Sequence, residues 1–184
     1  MAADNTEIPK PKAGDACRFW LELPDAELLR QCQVDTYRAS GPGGQKRNKT
    51  SSAVRLRHGP TGAIVVATES RSQHENRARA LRRLRETLAL THRQTVDPAD
   101  ELPAFLAEAL RRSQGLRMNR RHPDYFRVIQ YILDLLLACQ GRIRDVADRL
   151  GISSGQLLRF FRADTKLWTQ VNRVRDMCGL HPLT

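Results

Sequence analysis

Over residues 53–90 the hydrophobic pattern changes period once, and that change constrains the architecture more than any other feature. "SAVRLRH" sets Ala53 or Val54, then Leu56, against Arg55, Arg57 and His58, the alternation of a strand with one buried face. "GAIVVATE" is a β-branched run, and "GPTG" between the two supplies the residues of a tight hairpin turn. From Ser72 the spacing turns helical, with Ala78, Leu81, Leu84 and Leu88 recurring on one side. Ser72 with Glu75 three residues later makes a capping box, so the pattern predicts a helix over 72–90. Upstream, "QVDTYR" alternates like a further strand, and "PDAELLRQC" opens with a proline suited to a first helical turn.

Charge is concentrated in the same region. The formal net charge is +11, and residues 30–93 carry 14 Lys+Arg against 4 Asp+Glu. The predicted long helix opposes its leucines with Arg77, Arg79, Arg82, Arg83 and Arg85, beside one acid, Glu86. That face is either an ordinary solvated surface or a phosphate-binding one, and five arginines in nine residues tilt the reading to a polyanion, nucleic acid first. Cys17, Cys32, Cys139 and Cys178 form no C-x-x-C pair and read as thiols of a reducing compartment. The N-terminus lacks a targeting pattern, and "YFRVIQYILDLLLAC" is too short and too charged to span a bilayer. The expectation is a soluble, cytoplasmic protein with no membrane partner.

"SGPGGQKRNKT", residues 40–50, interrupts the strand pattern. Gly41, Gly43 and Gly44 allow close backbone approach where side chains would collide. The spacing fits neither a Walker loop nor a dinucleotide-binding loop. No Ser-His-Asp or Cys-His arrangement and no metal-ligand spacing declares itself, so no metal and no cofactor are expected. Chemistry here would use backbone donors and a positioned amide.

"RASGPGGQKRNKTSSAVRLRH", residues 38–58, followed by "ESRSQHENRARALRRL", residues 69–84, closely resembles the catalytic GGQ domain of class I peptide chain release factors. The resemblance covers roughly residues 20–92. It implies hydrolysis of the ester joining nascent peptide to tRNA, in the peptidyl-transferase centre of the large ribosomal subunit. Matched onto this sequence, the catalytic residues are Gly43, Gly44 and Gln45; the Gln45 N–H would stabilise the oxyanion or leaving 3′ oxygen, and its side-chain amide would orient water. Lys46, Arg47, Asn48 and Lys49 would brace the loop on ribosomal RNA, with Thr50 and Arg55 anchoring it to the domain. Arg71, Arg77, Arg79, Arg82 and Arg83 extend the expected RNA-binding set. One departure stands out: Arg47 occupies a position where the family usually has Val or Ile.

Forty residues precede Gly41, which leaves no room for the codon-reading domain of full-length factors. The chain therefore resembles the short, codon-independent branch that acts in ribosome rescue. After the catalytic domain comes a basic patch, "RRSQGLRMNRR", whose Arg111, Arg112, Arg117, Arg120 and Arg121 join the expected RNA contacts. "PDYFRVIQYILDLLLACQ" is apolar all round and reads as a buried helix. "IRDVADRLGISSGQLLRFFR" has helix-turn-helix spacing with a capping box at Ser153 and Gln156, and a plain helical bundle explains it as well. Few of its residues suit base edges: Gln156, Arg159 and Arg162.

The expected fold is α+β: a small mixed β-sheet of about three or four strands packed on a long helix, with a projecting glycine loop and an all-helical C-terminal appendage. Its expected divisions are a flexible tail at 1–19, a catalytic domain at 20–92, a linker with the basic patch at 93–122 and a helical domain at 123–184. The partners implied are the ribosome, through large-subunit ribosomal RNA, and peptidyl-tRNA, engaged by a monomer. The rival reading is a catalytically idle ribosome- or RNA-binding protein, which Arg47 favours.

Overall fold

The computed structural model describes residues 16–38, 52–113 and 115–184 of the chain. Of the expected tail at 1–19, residues 1–15 lie outside the described residues and 16–19 belong to a helix; the glycine loop also lies outside them. Two short helices, α1 (Ala16–Glu22) and α2 (Asp25–Arg30), lead into β1 (Cys32–Tyr37), β2 (Ala53–His58) and β3 (Ile64–Ala67). Pro24 stands at the N-cap of α2, one place before the first helical turn, where its missing N–H costs nothing. Among the described residues the sheet runs β1-β2-β3 and is antiparallel throughout, rather than mixed.

The long helix α3 spans Gln73–Thr91. Ser72 caps it by accepting the Glu75 N–H at 3.3 Å. The reciprocal half of the expected box is not made: the Ser72 N–H donates to Ser70 Oγ, and Glu75 instead reaches Arg79. The inner face of the sheet, Val54, Leu56, Val65 and Ala67, joins α3 in one core cluster. On α3 that core contains Ala80, Leu81, Leu84 and Leu88, whereas Ala78 is exposed. Ala78 and Ala80 flank the leucine stripe at similar angles, so spacing alone cannot choose between them.

Beyond α3 the chain forms α4 (Ala104–Ser113), α5 (Tyr125–Ala138), α6 (Ile143–Leu150), α7 (Ser154–Arg162) and α8 (Thr165–Met177). The α5 helix is buried on nearly every side, from Tyr125 through Leu136, because α3, α6 and α8 all pack on it. The core is continuous: sheet, α3, Leu106 of α4, and the C-terminal helices belong to one cluster. The stretch expected as a linker thus holds a helix, and Arg93 within it bonds Asp134 of α5 at 3.0 Å.

The hairpin end of the sheet is closed by His58, which is fully buried. Its Nδ1 lies 2.8 Å from Thr61 Oγ1 and its Nε2 lies 3.3 Å from Gln31 Oε1. Since the Gln31 oxygen can only accept, the neutral tautomer carries its proton on Nε2 and takes the Thr61 hydroxyl proton at Nδ1. Trp20 sits edge-on to the ring at 4.9 Å. Burial pushes the His58 pKa down to about 4, with His92 adding a smaller push in the same direction. A histidine kept neutral in the fold binds its proton only in the unfolded chain over that range, so stability is full above the ordinary histidine value and falls as pH drops from about 6.5 towards 4. His58→Gln removes that titration: urea midpoints of the wild type should fall between pH 6.5 and pH 4 by more than those of the variant, and parallel curves would refute the assignment.

Candidate functional site

Tyr37 ends β1, Ala53 begins β2, and the two are register partners. The 38–52 connection therefore starts and finishes side by side at one end of the β1–β2 pair, its two ends held a strand spacing apart. Across the same strand pair Arg55 donates to Asp35 Oδ2 through both Nε (3.0 Å) and an Nη (2.8 Å). The pair fixes the outer surface of the β1–β2 ladder just below that connection.

The return end is held more tightly. Asn76, fully buried in the first turn of α3, donates to the Ser52 carbonyl at 2.6 Å and the Ser70 carbonyl at 2.8 Å. Its side-chain oxygen accepts the Ser70 N–H at 2.9 Å. One amide thus ties the start of β2, the β3–α3 connection and the long helix together. The sequence analysis missed this residue, although an asparagine inside a helix is a poor propensity choice and is a signal in itself.

The expected catalytic residues Gly43, Gly44 and Gln45, and the bracing Lys46, Arg47, Asn48, Lys49 and Thr50, lie outside the described residues. Of the remaining expected RNA contacts, Arg71, Arg77, Arg117 and Arg121 are exposed. Arg79 is also exposed and stands 3.6 Å from Glu75, a solvent-screened pair. Arg82, Arg83 and Arg120 also make contacts within the protein. Arg82 donates to the Arg120 carbonyl and lies over the Phe126 ring at 5.3 Å. Arg83 donates to the Val66 carbonyl and to Glu69, and its guanidinium holds the Glu69 carboxyl below the usual range. Arg85 bonds Asp25 at 2.7 Å and the Leu23 carbonyl at 2.6 Å. Arg111 and Arg112 both pair with Glu108.

Arg120 belongs to a half-buried charge node. Glu86 of α3 receives Arg120 and, at 2.8 Å, Lys166 of α8. Arg120 also stands 3.3 Å from Asp164, which accepts the Tyr125 hydroxyl at 2.9 Å. Burial and that carboxylate push the Tyr125 pKa well above its ordinary value. The acid that looked incidental among arginines is therefore where the C-terminal helices are fastened to α3.

Residues 143–162 do form helix, turn and helix, with Gly151 left-handed at φ 65° and a complete capping box at Ser153 and Gln156. That box uses the Gln156 side chain at its own helix end, and Arg162 is stacked over Trp168 at 5.2 Å and bonded to the Thr184 carbonyl. Both are thereby turned away from reading base edges. Among the described residues no group of His, Cys, Asp and Glu could hold a metal, and no helix is long and apolar enough to cross a membrane.

Comparison with known proteins accords with this frame. A family model described as RF-1 domain matches residues 25–122. Over 79 residues, 43% of this chain, the sequence is 47% identical to peptide chain release factor 1 of Caulobacter vibrioides. Over 135 residues, 65% of this chain, it is 38% identical to peptide chain release factor 2 of Paramagnetospirillum magneticum. The matches span only 21% and 36% of those relatives' own lengths.

Asn76→Ala would strand the Ser70 N–H and two carbonyls. The expected cost is about 1–3 kcal/mol in chemical denaturation, with faster amide exchange at Ser70 than at Leu84. Unchanged exchange at Ser70 would show that the tie is dispensable.

Proposed function

The chain belongs to the RF-1 domain family of the class I release factors, and from that premise we propose that it hydrolyses peptidyl-tRNA in the ribosomal peptidyl-transferase centre, without reading a codon, to rescue stalled ribosomes. The observation that supports the reading is the frame at the ends of the 38–52 connection: Tyr37 and Ala53 are cross-strand partners and Asn76 bonds the Ser52 carbonyl, so the stretch carrying Gly43, Gly44 and Gln45 starts and finishes on one packed domain. Reaction then needs little from side chains. The Gln45 N–H stabilises charge on the reacting oxygen, a contribution of roughly 10²–10³ in rate for one such donor. Gly43 and Gly44 permit backbone approach that Cβ atoms would block. Exposed Arg55, Arg71, Arg77 and Arg79 supply phosphate contacts on that domain.

The codon-independent part of the proposal is supported by the way the C-terminal helices are fastened to α3. Any contact those helices make on the ribosome bears through α3 on the packed ends of the 38–52 connection, which gives a stalled complex a means of orienting the catalytic domain that needs no stop codon.

Gln45→Ala and Gly43→Ala should each lower single-turnover peptide release from stalled complexes by at least about a hundredfold with little change in binding. Wild-type release should be the same with a sense codon, a stop codon or no codon in the decoding site. Binding without release by the wild type would establish the idle-binder reading that Arg47 favours, and stop-codon dependence would sink the rescue role.

A further inference from the structure

A pocket of about 310 Å³ opens where α2, α3 and the segment before α5 meet. Its charged lining comes from Asp25, Arg82, Arg85, Arg121 and His122, over the Phe126 ring. The fold places each cation. Arg82 lies over Phe126 and donates to the Arg120 carbonyl, which draws the segment carrying Arg121 onto α3. That segment is itself tightly turned: the Arg121 N–H donates to Asn119 Oδ1 at 2.8 Å and the His122 N–H to the Asn119 carbonyl at 2.9 Å. Arg85 is held by Asp25 at 2.7 Å and by the Leu23 carbonyl at 2.6 Å.

These bonds leave donors over. A guanidinium offers a planar fork of several N–H groups, and Arg82 and Arg85 spend only part of theirs on the contacts above. Arg82 and Arg121 are both exposed, and among the described residues the Arg121 side chain has no partner. The described lining holds one acid, Asp25, whose side chain is 68% exposed and already serves Arg85. Asp124, beside His122, is taken up by Arg127 at 2.9 Å. Three guanidiniums against one carboxylate leave the pocket short of negative charge.

We propose that this pocket binds a backbone phosphate of an RNA strand, with Arg82 and Arg121 gripping its oxygens and Arg85 adding positive field from the wall. What continues from the pocket favours a phosphate chain over an acidic side chain. Ala78 lines the pocket on α3, the exposed Arg77 and Arg79 stand on either side of it in the chain, and Arg71 is exposed just before the helix. Cations therefore extend past the pocket along α3, which a polymer of regularly spaced charges can use and a lone carboxylate cannot. Arg82 and Arg85 are fixed beforehand, so binding has less side-chain order to impose. That the RNA is ribosomal rests on the proposed function; the pocket's preference for phosphate does not.

The test uses the full chain, a fluorescent oligouridylate and a polyglutamate peptide of equal net charge. Arg121→Gln should weaken RNA binding about threefold and lower its slope against log salt by about 0.7. Arg173→Gln, the same charge loss at an exposed site on α8, should change both far less. Asp25→Asn removes the pocket's acid and should tighten binding about threefold, a gain that a damaged fold could not produce. Asp176→Asn, an equal gain of charge at an exposed site on α8, should leave affinity nearly unchanged. Phenylglyoxal labelling read by mass spectrometry should show RNA shielding Arg121 and not Arg173. Equal effects in pocket and control variants, or an unshielded Arg121, would overturn the site. Displacement of the RNA by polyglutamate at matched charge would overturn the choice of phosphate. Ribosomes should shield Arg121 as the oligomer does; shielding by the oligomer alone would overturn the ribosomal source. Peptide release by Gln45→Ala at the wild-type rate would count against the proposed function alone, because the oligonucleotide measurements contain no ribosome.

Discussion

Burial of one helix by several elements holds this molecule together. The sheet, α5 and α8 all pack on α3, and Leu84 and Leu88 are completely enclosed. Each such leucine contributes about 1.5–3 kcal/mol relative to exposure. A helix is also a ruler: Asn76, at the base of the glycine loop, and Glu86, where the C-terminal helices are fastened, stand roughly 15 Å apart along the same axis. The loop anchor and the helical appendage are therefore set by a single rigid element. Neither could shift without repacking the core between them.

The same helix shows why a count of cations overstates the donors left for RNA. An arginine stripe seen in sequence divides in space into two groups. Arg77 and Arg79 face solvent, while Arg82, Arg83 and Arg85 are drawn to carbonyls, to Glu69 and Asp25, and to the Phe126 ring. Guanidinium suits that second task because it offers several donors in a plane and a face that rests on an aromatic ring. Exposed arginines remain on the outer sheet, at the start of α3, and in the segment before α5.

Periodicity made most of the architecture legible. The alternation in "SAVRLRH" became β2, with Leu56 buried and Arg55 exposed, and the capping residues Ser72 and Ser153 both begin helices. These features are local, set by backbone geometry over a few residues, so a sequence displays them directly. Ala78 against Ala80 was not legible, because two alanines flanking a stripe differ only in which neighbour arrives. Asn76 and Glu86 were not legible for the same reason: their partners Ser52, Arg120 and Lys166 are 24, 34 and 80 residues away.

By itself the sequence determined the three strands, α2, α3, α5 and the α6–α7 pair, the basic character and the family to which the glycine stretch points, since each follows from residue type and short-range spacing, whereas α1 and α4 lie where a tail and a linker were expected. Tertiary structure alone decided which arginines remain outward, that residues 93–122 join the core rather than linking two bodies, and where the 120–123 segment meets α3. Those outcomes depend on long-range packing, in which a side chain's role is fixed by whatever surface the fold brings against it.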